Sequence, residues 1–175
     1  SRENPLRQDN KEQIMQISNA LVDMLNEQIA HELIASNQYL QLATYFDGQA
    51  LRKLSEFFYK QSEEEREHAL KFVHYMTEVG GDVRILEIPA ANYDVNSAEQ
   101  AFQMSLDWEK EVTRRIHAMM DLAVSEKDYA SQAFLQWFVT EQVEEESSME
   151  TMLQVVQKAG EKNLLMVEAY MTHNG

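Results

Sequence analysis

The sequence predicts an all-α protein: a four-helix bundle with one long crossover connection and a short fifth helix at the C-terminus. In four long segments, apolar residues recur at three- and four-residue spacing, the period of an amphipathic helix. Helix breakers are scarce, five Gly and two Pro in 175 residues, and none falls inside those segments. The third observation is an interval, residues 81–96 (GDVRILEIPAANYDVN), that lacks the period altogether. Antiparallel neighbours in a bundle need only about 2 to 8 residues between them. This interval has 16, which reach roughly 50 Å when extended. That is enough to run back along a helix of about 30 residues, about 45 Å long. The second and third helices are therefore predicted to be parallel, as in bundles with a single crossover.

Taken in order, residues 1–17 are polar, carry Pro5 near the start, and read as an N-terminal extension to a domain spanning residues 18–175. Ser18 or Asn19 opens the first helix, whose stripe is Val22, Leu25, Ile29, Leu33, Leu40 and Ala43 and which ends near Asp47 and Gly48. The second helix, residues 49–79, carries Leu51, Leu54, Phe58, Ala69, Phe72, Met76 and Val79 and stops at Gly80 and Gly81. Ser97 with Gln100 three residues on is a capping-box signal. It starts the third helix, residues 98–124, on a stripe of Ala98, Phe102, Leu106, Thr113, Ile116, Met120 and Ala123. After a short link at residues 125–129, the fourth helix carries Phe134, Phe138, Met149, Met152 and Val156 and ends at Gly160. The last amphipathic piece, residues 163–173, is too short to be stable alone and must dock on something.

Composition narrows the partners. Thirty Asp and Glu against fifteen Lys and Arg give a formal net charge of −15, which disfavours nucleic acid and anionic membranes and favours cations. With no Cys there is no disulfide framework and no thiolate metal site, so any metal must be held by carboxylate, imidazole or amide. No apolar run approaches the roughly 18 residues of a membrane span, and the N-terminus lacks an apolar signal core. A cytoplasmic location is expected, or an organelle if a targeting segment was removed before Ser1.

Each long helix turns polar residues inward near mid-length: Glu32 and Tyr39 on the shoulder of the first stripe, Glu65 with His68, Glu109, and Gln142 with Glu145. At about 100° per residue, Glu65 lies on the centre line of its stripe and His68 about 60° from it. A single helical Glu is most often a solvated ion-pair partner. Four placed on the centre lines of four helices are not explained that way. A carboxylate facing a core costs several kcal/mol unless it is paired or holds a metal. Known di-metal carboxylate bundles use a Glu from each of two helices and Glu-x-x-His from each of the other two. This chain fits that pattern with one departure, Gln142-x-x-Glu145 in place of the second Glu-x-x-His.

Glu32-x6-Tyr39, Glu65-x-x-His68, Trp108-Glu109-Lys110 and the run WFVTEQVEEE at 137–146 resemble the ferroxidase motifs of the ferritins. The run at 134–139, with the acidic cluster after it, is most similar to the bacterial non-haem ferritins, and the resemblance spans residues 18–175. It implies a ferritin-like fold and a hollow shell of twenty-four identical subunits. The shell would oxidise Fe(II) with dioxygen or hydrogen peroxide at a di-iron centre in each subunit, and store the ferric oxyhydroxide mineral inside. Carried over by position, Glu32, Glu65 and His68 hold the first iron, and Glu65, Glu109 and Glu145 the second, with Glu65 bridging. Gln142 orients water or oxygen species beside the pair, and Tyr39 is a nearby redox-capable phenol. A third iron site is implied at Glu64, Glu141, Glu144 and Glu145. Glu64 and Glu141 lie about 80° and 40° off their centre lines and Glu144 about 100° off, so a solvated acidic face competes with that reading.

Mostly oxygen ligands with one imidazole suit iron that hardens on oxidation. His31, His74, His117 and His173 lie off the bundle centre lines and read as surface or interface residues, and the ten Met as packing. No haem is expected: bacterioferritins carry a Met directly after the second-helix Glu, where this chain has Arg66, and a His at the position of Glu145. The acidic pairs that line the entry channel of animal ferritins align with Gln132 and Leu135, which argues against that route. Two other readings stay open at this level, a di-iron or di-manganese bundle with another redox task and a shell that only nucleates mineral.

Overall fold

The computed structural model describes residues 16–175. The predicted extension falls almost wholly outside them. Of its last two residues, Ile17 is buried and Gln16 donates from its main-chain nitrogen to Val79 O at 3.1 Å, so the body of the domain already includes both.

Helix α1 (Asn19–Asp47) is capped by Ser18, whose Oγ accepts from Leu21 N at 3.1 Å. Helix α2 (Arg52–Glu78) starts after a turn in which Ala50 adopts φ 58°. Its N-cap residue, Leu51, has no side-chain acceptor. The carboxylate of Glu168, far along the chain, takes that role, accepting from Lys53 N and Leu54 N at 3.0 Å each. At its other end Gly80, at φ 78°, lets Gly81 N donate back to Met76 O at 2.8 Å, a closure that needs a left-handed residue. Helix α3 (Ala98–Ser125) begins at Ser97, whose Oγ accepts from Gln100 N at 3.0 Å, while Gln100 Oε1 accepts from Asn96 N at 2.9 Å. Helix α4 (Tyr129–Ala159) is capped by Asp128 and followed by a short 3₁₀ turn (Glu161–Asn163) and helix α5 (Leu164–Asn174).

Helices α2 and α3 are parallel, as the crossover length requires. Phe57 and Phe58 near the start of α2 lie 5.7 and 5.0 Å from Phe102 near the start of α3, while Met76, Met119 and Ala123 share a cluster at the far ends. The crossover is tied to α1 at two levels. The Asn26 side chain bonds Asp82 O and Arg84 N at 2.9 and 2.8 Å, and the Gln38 side chain bonds both main-chain groups of Asn92 at 2.9 and 2.8 Å.

The buried positions correct several stripe assignments, for one reason. In α1 they run Leu21, Leu25, Gln28, Glu32, Ala35, Tyr39, Leu42 and Phe46, in alternating steps of four and three. That is the period of about 3.5 imposed when helices supercoil in a bundle, not the 3.6 of a straight helix. Tyr39, read as inward-facing on the shoulder, is accordingly 1% exposed, whereas Leu40, placed on the straight-helix stripe, is 46% exposed. In α3 the same drift buries Val112 and Met119 in place of Thr113 and Met120. Two apolar cores result. One joins the C-terminal half of α1 to the starts of α2 and α3, the end of α4, and Leu164 and Val167 of α5. The other joins the start of α1 to the ends of α2 and α3 and the start of α4. Between them lies one polar layer.

Candidate metal centre

That layer receives one contribution from each long helix. Glu32 from α1, Glu65 and His68 from α2, Glu109 from α3, and Gln142 and Glu145 from α4 are all buried. Three sets of side chains each bring their ligand atoms within 4.8 Å of one another: Glu32, Glu65 and His68; Glu65, Glu109 and Glu145; and His68, Glu141 and Glu145. The first two are the sets that the sequence resemblance implies, with Glu65 common to both. Glu64 and Glu144 are not in these groups. Glu64 pairs with Lys60 at 3.4 Å and accepts from Gln61 at 3.4 Å, and Glu144 is exposed.

The hydrogen bonds leave these carboxylates half satisfied. Glu32 Oε1 accepts from Gln28 Nε2 at 2.9 Å, but Glu32 Oε2, Glu65 Oε1 and Glu145 Oε2 are buried with no partner. Buried acceptors almost always find a donor. Three orphaned oxygens on three converging carboxylates are the electrostatic complement of a cation, and the donor set, oxygen-rich with one imidazole, fits iron. Glu109 is instead held at both oxygens, by Tyr39 Oη at Oε1 and by Gln142 Nε2 at Oε2, 3.1 Å away.

The acids do not ionise alike. Burial, and then the charge of Glu32, push Glu65 well above the usual carboxylate range. Burial lifts Glu109 to about 7 against the hydrogen bonds from Tyr39 and Gln142, and lifts Glu145 to about 8 with the charge of Glu109 adding to it. Burial opposes the charge of Glu32 too, but Glu65, His68 and Gln28 beside it outweigh that and leave it below the ordinary value. Burial alone would lower His68; neighbouring Glu32, Glu145 and Glu141 raise it instead. Burial and Glu109 hold Tyr39 far above the usual phenol range, so it stays protonated. A divalent cation bound here would displace protons.

Gln28 and Thr113 carry parts of the site that the sequence reading passed over. Gln28 sits one turn before Glu32 on the same face, which was the available signal. Thr113 Oγ1 is 3.3 Å from Gln142 Nε2 and donates to Glu146 at 3.0 Å. Of the other histidines, His74, His117 and His173 are exposed, and half-buried His31 packs its ring 5.3 Å from that of Trp108. Leu135 is fully buried, so it lines no channel. Among the described residues, no helix is long and apolar enough to cross a membrane.

Comparison with known proteins agrees with this geometry. A family model described as a ferritin-like domain matches residues 22–159. The bacterial non-heme ferritin of Staphylococcus aureus is 37% identical over 145 residues, 83% of this chain and 87% of that protein. Its namesake from Staphylococcus haemolyticus is 35% identical over the same shares. An open pore ferritin from the archaeon Archaeoglobus fulgidus superposes with a TM-score of 0.85 at 36% identity, covering 89% of this chain and 97% of that one. A humanized archaeal ferritin gives the same score and identity, over 89% and 96%. With the family model matched across all four long helices and relatives this similar over most of their length, the chain belongs to the ferritin family.

Proposed function

We propose that this protein is an iron-storage ferroxidase, which oxidises Fe(II) with dioxygen or hydrogen peroxide inside each subunit and keeps the ferric oxyhydroxide mineral within a homo-oligomeric shell of twenty-four chains. The observation that carries the reading is the set of orphaned oxygens on Glu32, Glu65 and Glu145, aimed from three helices into one buried layer with His68 among them. Iron storage is the business of the family, and the oxidation step is what these residues add.

In this reading Glu32, Glu65 and His68 hold one Fe(II) as substrate, Glu65, Glu109 and Glu145 the second, and Glu65 spans the two. Two irons yield one electron each, and dioxygen takes up both electrons with two protons to give hydrogen peroxide. Protons leaving Glu65, Glu109 and Glu145 as the cations bind are released at the site where they are needed. Gln142 orients water or oxygen species and Tyr39 stands by as a phenol. Glu64, Glu141, Glu144 and Glu145 remain the proposed third iron site. The protein works in the cytoplasm, or in an organelle if a targeting segment preceded Ser1, with no nucleic-acid or membrane partner and no haem.

The test is aerobic addition of Fe(II) to purified protein, with ferric absorbance and native mass followed together. Glu65→Ala and His68→Ala should each abolish the fast oxidation phase and leave a folded oligomer. Equal initial rates in parent and both variants would sink the assignment.

A further inference from the structure

The metal layer is approached from a second side, between α1 and α3. A cavity of about 160 Å3 opens there between Met24, Glu27 and Gln28 of α1 and Arg115, Ala118 and Met119 of α3. The charges around its mouth balance: Glu111 accepts from Arg114 Nε at 2.8 Å and from Arg115 Nε at 3.0 Å, and Glu27 lies 3.8 Å from Arg115. Two carboxylates against two guanidiniums gather no cations. The deep end is Gln28, 1% exposed, which also touches the metal layer through Nε2, a donor to Glu32 Oε1 at 2.9 Å. Glu32 stays below the ordinary carboxylate range and so only accepts, which fixes the amide and leaves its Oε1 for the pocket. That oxygen is buried without a partner. Buried acceptors almost always find a donor, so this one marks the place of a bound molecule with a hydrogen to give. His31 Nδ1 and Trp108 Nε1, on rings 5.3 Å apart between the same two helices, are also buried and unpartnered.

We infer that this pocket binds hydrogen peroxide and delivers it to the di-metal layer from the flank opposite Glu141 and Glu144, the acidic side chains of α4 that reach solvent. The inference rests on the ferroxidase reading above. Hydrogen peroxide has two O–H donors and two acceptor oxygens, so one end donates to Gln28 Oε1 while the other accepts from Arg115. Arg115 commits Nε to Glu111 and keeps its terminal N–H groups, on a side chain only 26% exposed. Dioxygen has no hydrogen to give and gains nothing from Gln28, and a divalent cation meets two guanidiniums at the mouth. The pocket therefore selects peroxide over both. Room suffices: a water claims about 30 Å3 in the liquid, and the cavity holds several times that. The Gln28 amide is the partition, with one end in the pocket and the other on Glu32. At the layer, peroxide takes one electron from each of two Fe(II) together with two protons, its O–O bond breaks, and two waters leave.

A methionine in the pocket makes the first test independent of iron. Met119 lines the cavity at 1% exposure, whereas Met76 and Met149, at 0%, sit in the apolar cores and do not line it. Peroxide that reaches a thioether gives it one oxygen, forming the sulfoxide, and leaves as water. In the metal-free whole protein treated with hydrogen peroxide, peptide mass mapping should show Met119 oxidised at least about tenfold faster than Met76 or Met149. Ala118→Phe, and to a smaller degree Ala118→Leu, should plug the mouth and bring Met119 down towards their rate. Crystals soaked in hydrogen peroxide should show paired oxygen density about 2.7–2.8 Å from Gln28 Oε1. With Fe(II) present, Ala118→Phe should raise the peroxide concentration for half-maximal rate by about tenfold and leave oxidation by dioxygen at the parent rate. Met119 reacting no faster than the other two, density for single waters only, or equal slowing with both oxidants each overturn the inference. A parent protein that oxidises Fe(II) with neither oxidant overturns the ferroxidase reading, and the delivery step with it, even where Met119 still reacts first.

Discussion

Gln142 Nε2 lies 3.1 Å from both the main-chain oxygen and the carboxylate Oε2 of Glu109, so one amide of α4 clamps a candidate iron ligand and the backbone of α3 together. Tyr39 donates to the other carboxylate oxygen. Glu109 is therefore set in position before any cation arrives, unlike Glu32, Glu65 and Glu145, each of which keeps a free oxygen. We predict that Tyr39→Phe and Gln142→Leu each slow Fe(II) oxidation and lower stability by about 1–3 kcal/mol, the usual cost of leaving a buried polar group unpaired. Denaturant midpoints together with initial rates check this. An unchanged midpoint in both variants would mean that Glu109 finds other donors.

The metal-free protein should lose stability as pH rises from about 5 to about 8. Burial holds Glu109 at about 7 and Glu145 at about 8 in the folded state, above their unfolded values. Through that window the unfolded chain has released protons that the folded chain retains, so unfolding gains with pH. Glu32 runs the other way, since its lowered value adds stability above the ordinary carboxylate range that is lost in acid. Melting temperature measured against pH after exhaustive chelation should therefore fall between about 5 and 8, and saturating Zn2+ should flatten the slope. A rising curve in chelated protein contradicts the assigned proton positions.

Helix α5 offers Leu165 and Met166, 75% and 66% exposed, on its outer side, while Leu164 and Val167 pack inward and Glu168 caps α2. We predict that the outer side is buried at a symmetry axis between subunits. Truncation after Gly160 should weaken the shell, and Glu168→Ala should cost about 1 kcal/mol through loss of the cap. Native mass and mineral retention are the measurements. Survival of both after truncation would confine α5 to its own subunit.

Ala50 at φ 58° and Lys127 at φ 57° occupy left-handed positions at the ends of α1 and α3 that ordinarily fall to glycine. An L-residue there costs about 1–2 kcal/mol. Gly at either position removes that strain but adds unfolded-chain entropy, so a net gain of roughly 0.5–1 kcal/mol is expected for each. Thermal melts of Ala50→Gly and Lys127→Gly settle the sign, and a loss in both would refute the strain.

Element order, the parallel pairing of α2 and α3, and the inward Glu32, Glu65, His68, Glu109 and Glu145 were all legible in the chain itself. Apolar periodicity is local, and the 16 residues of the crossover set a reach that only one topology satisfies. The glycines at 80 and 160 marked helix ends because a positive φ favours a residue without Cβ. The ends of α1 and α3 carried weaker marks, since Ala50 and Lys127 take the strained positions themselves. What only the tertiary structure decided is the phase of the helices about one another. Supercoiling moves the buried face by a fraction of a residue per turn, which accumulates to turn Leu40 outward and to bury Met119 in place of Met120. That phase also turns His68 so that one nitrogen meets Glu32 and Glu65 and the other Glu141. Sequence spacing places a side chain on a helical face, but which atom of an imidazole meets which carboxylate depends on where the neighbouring helices stand.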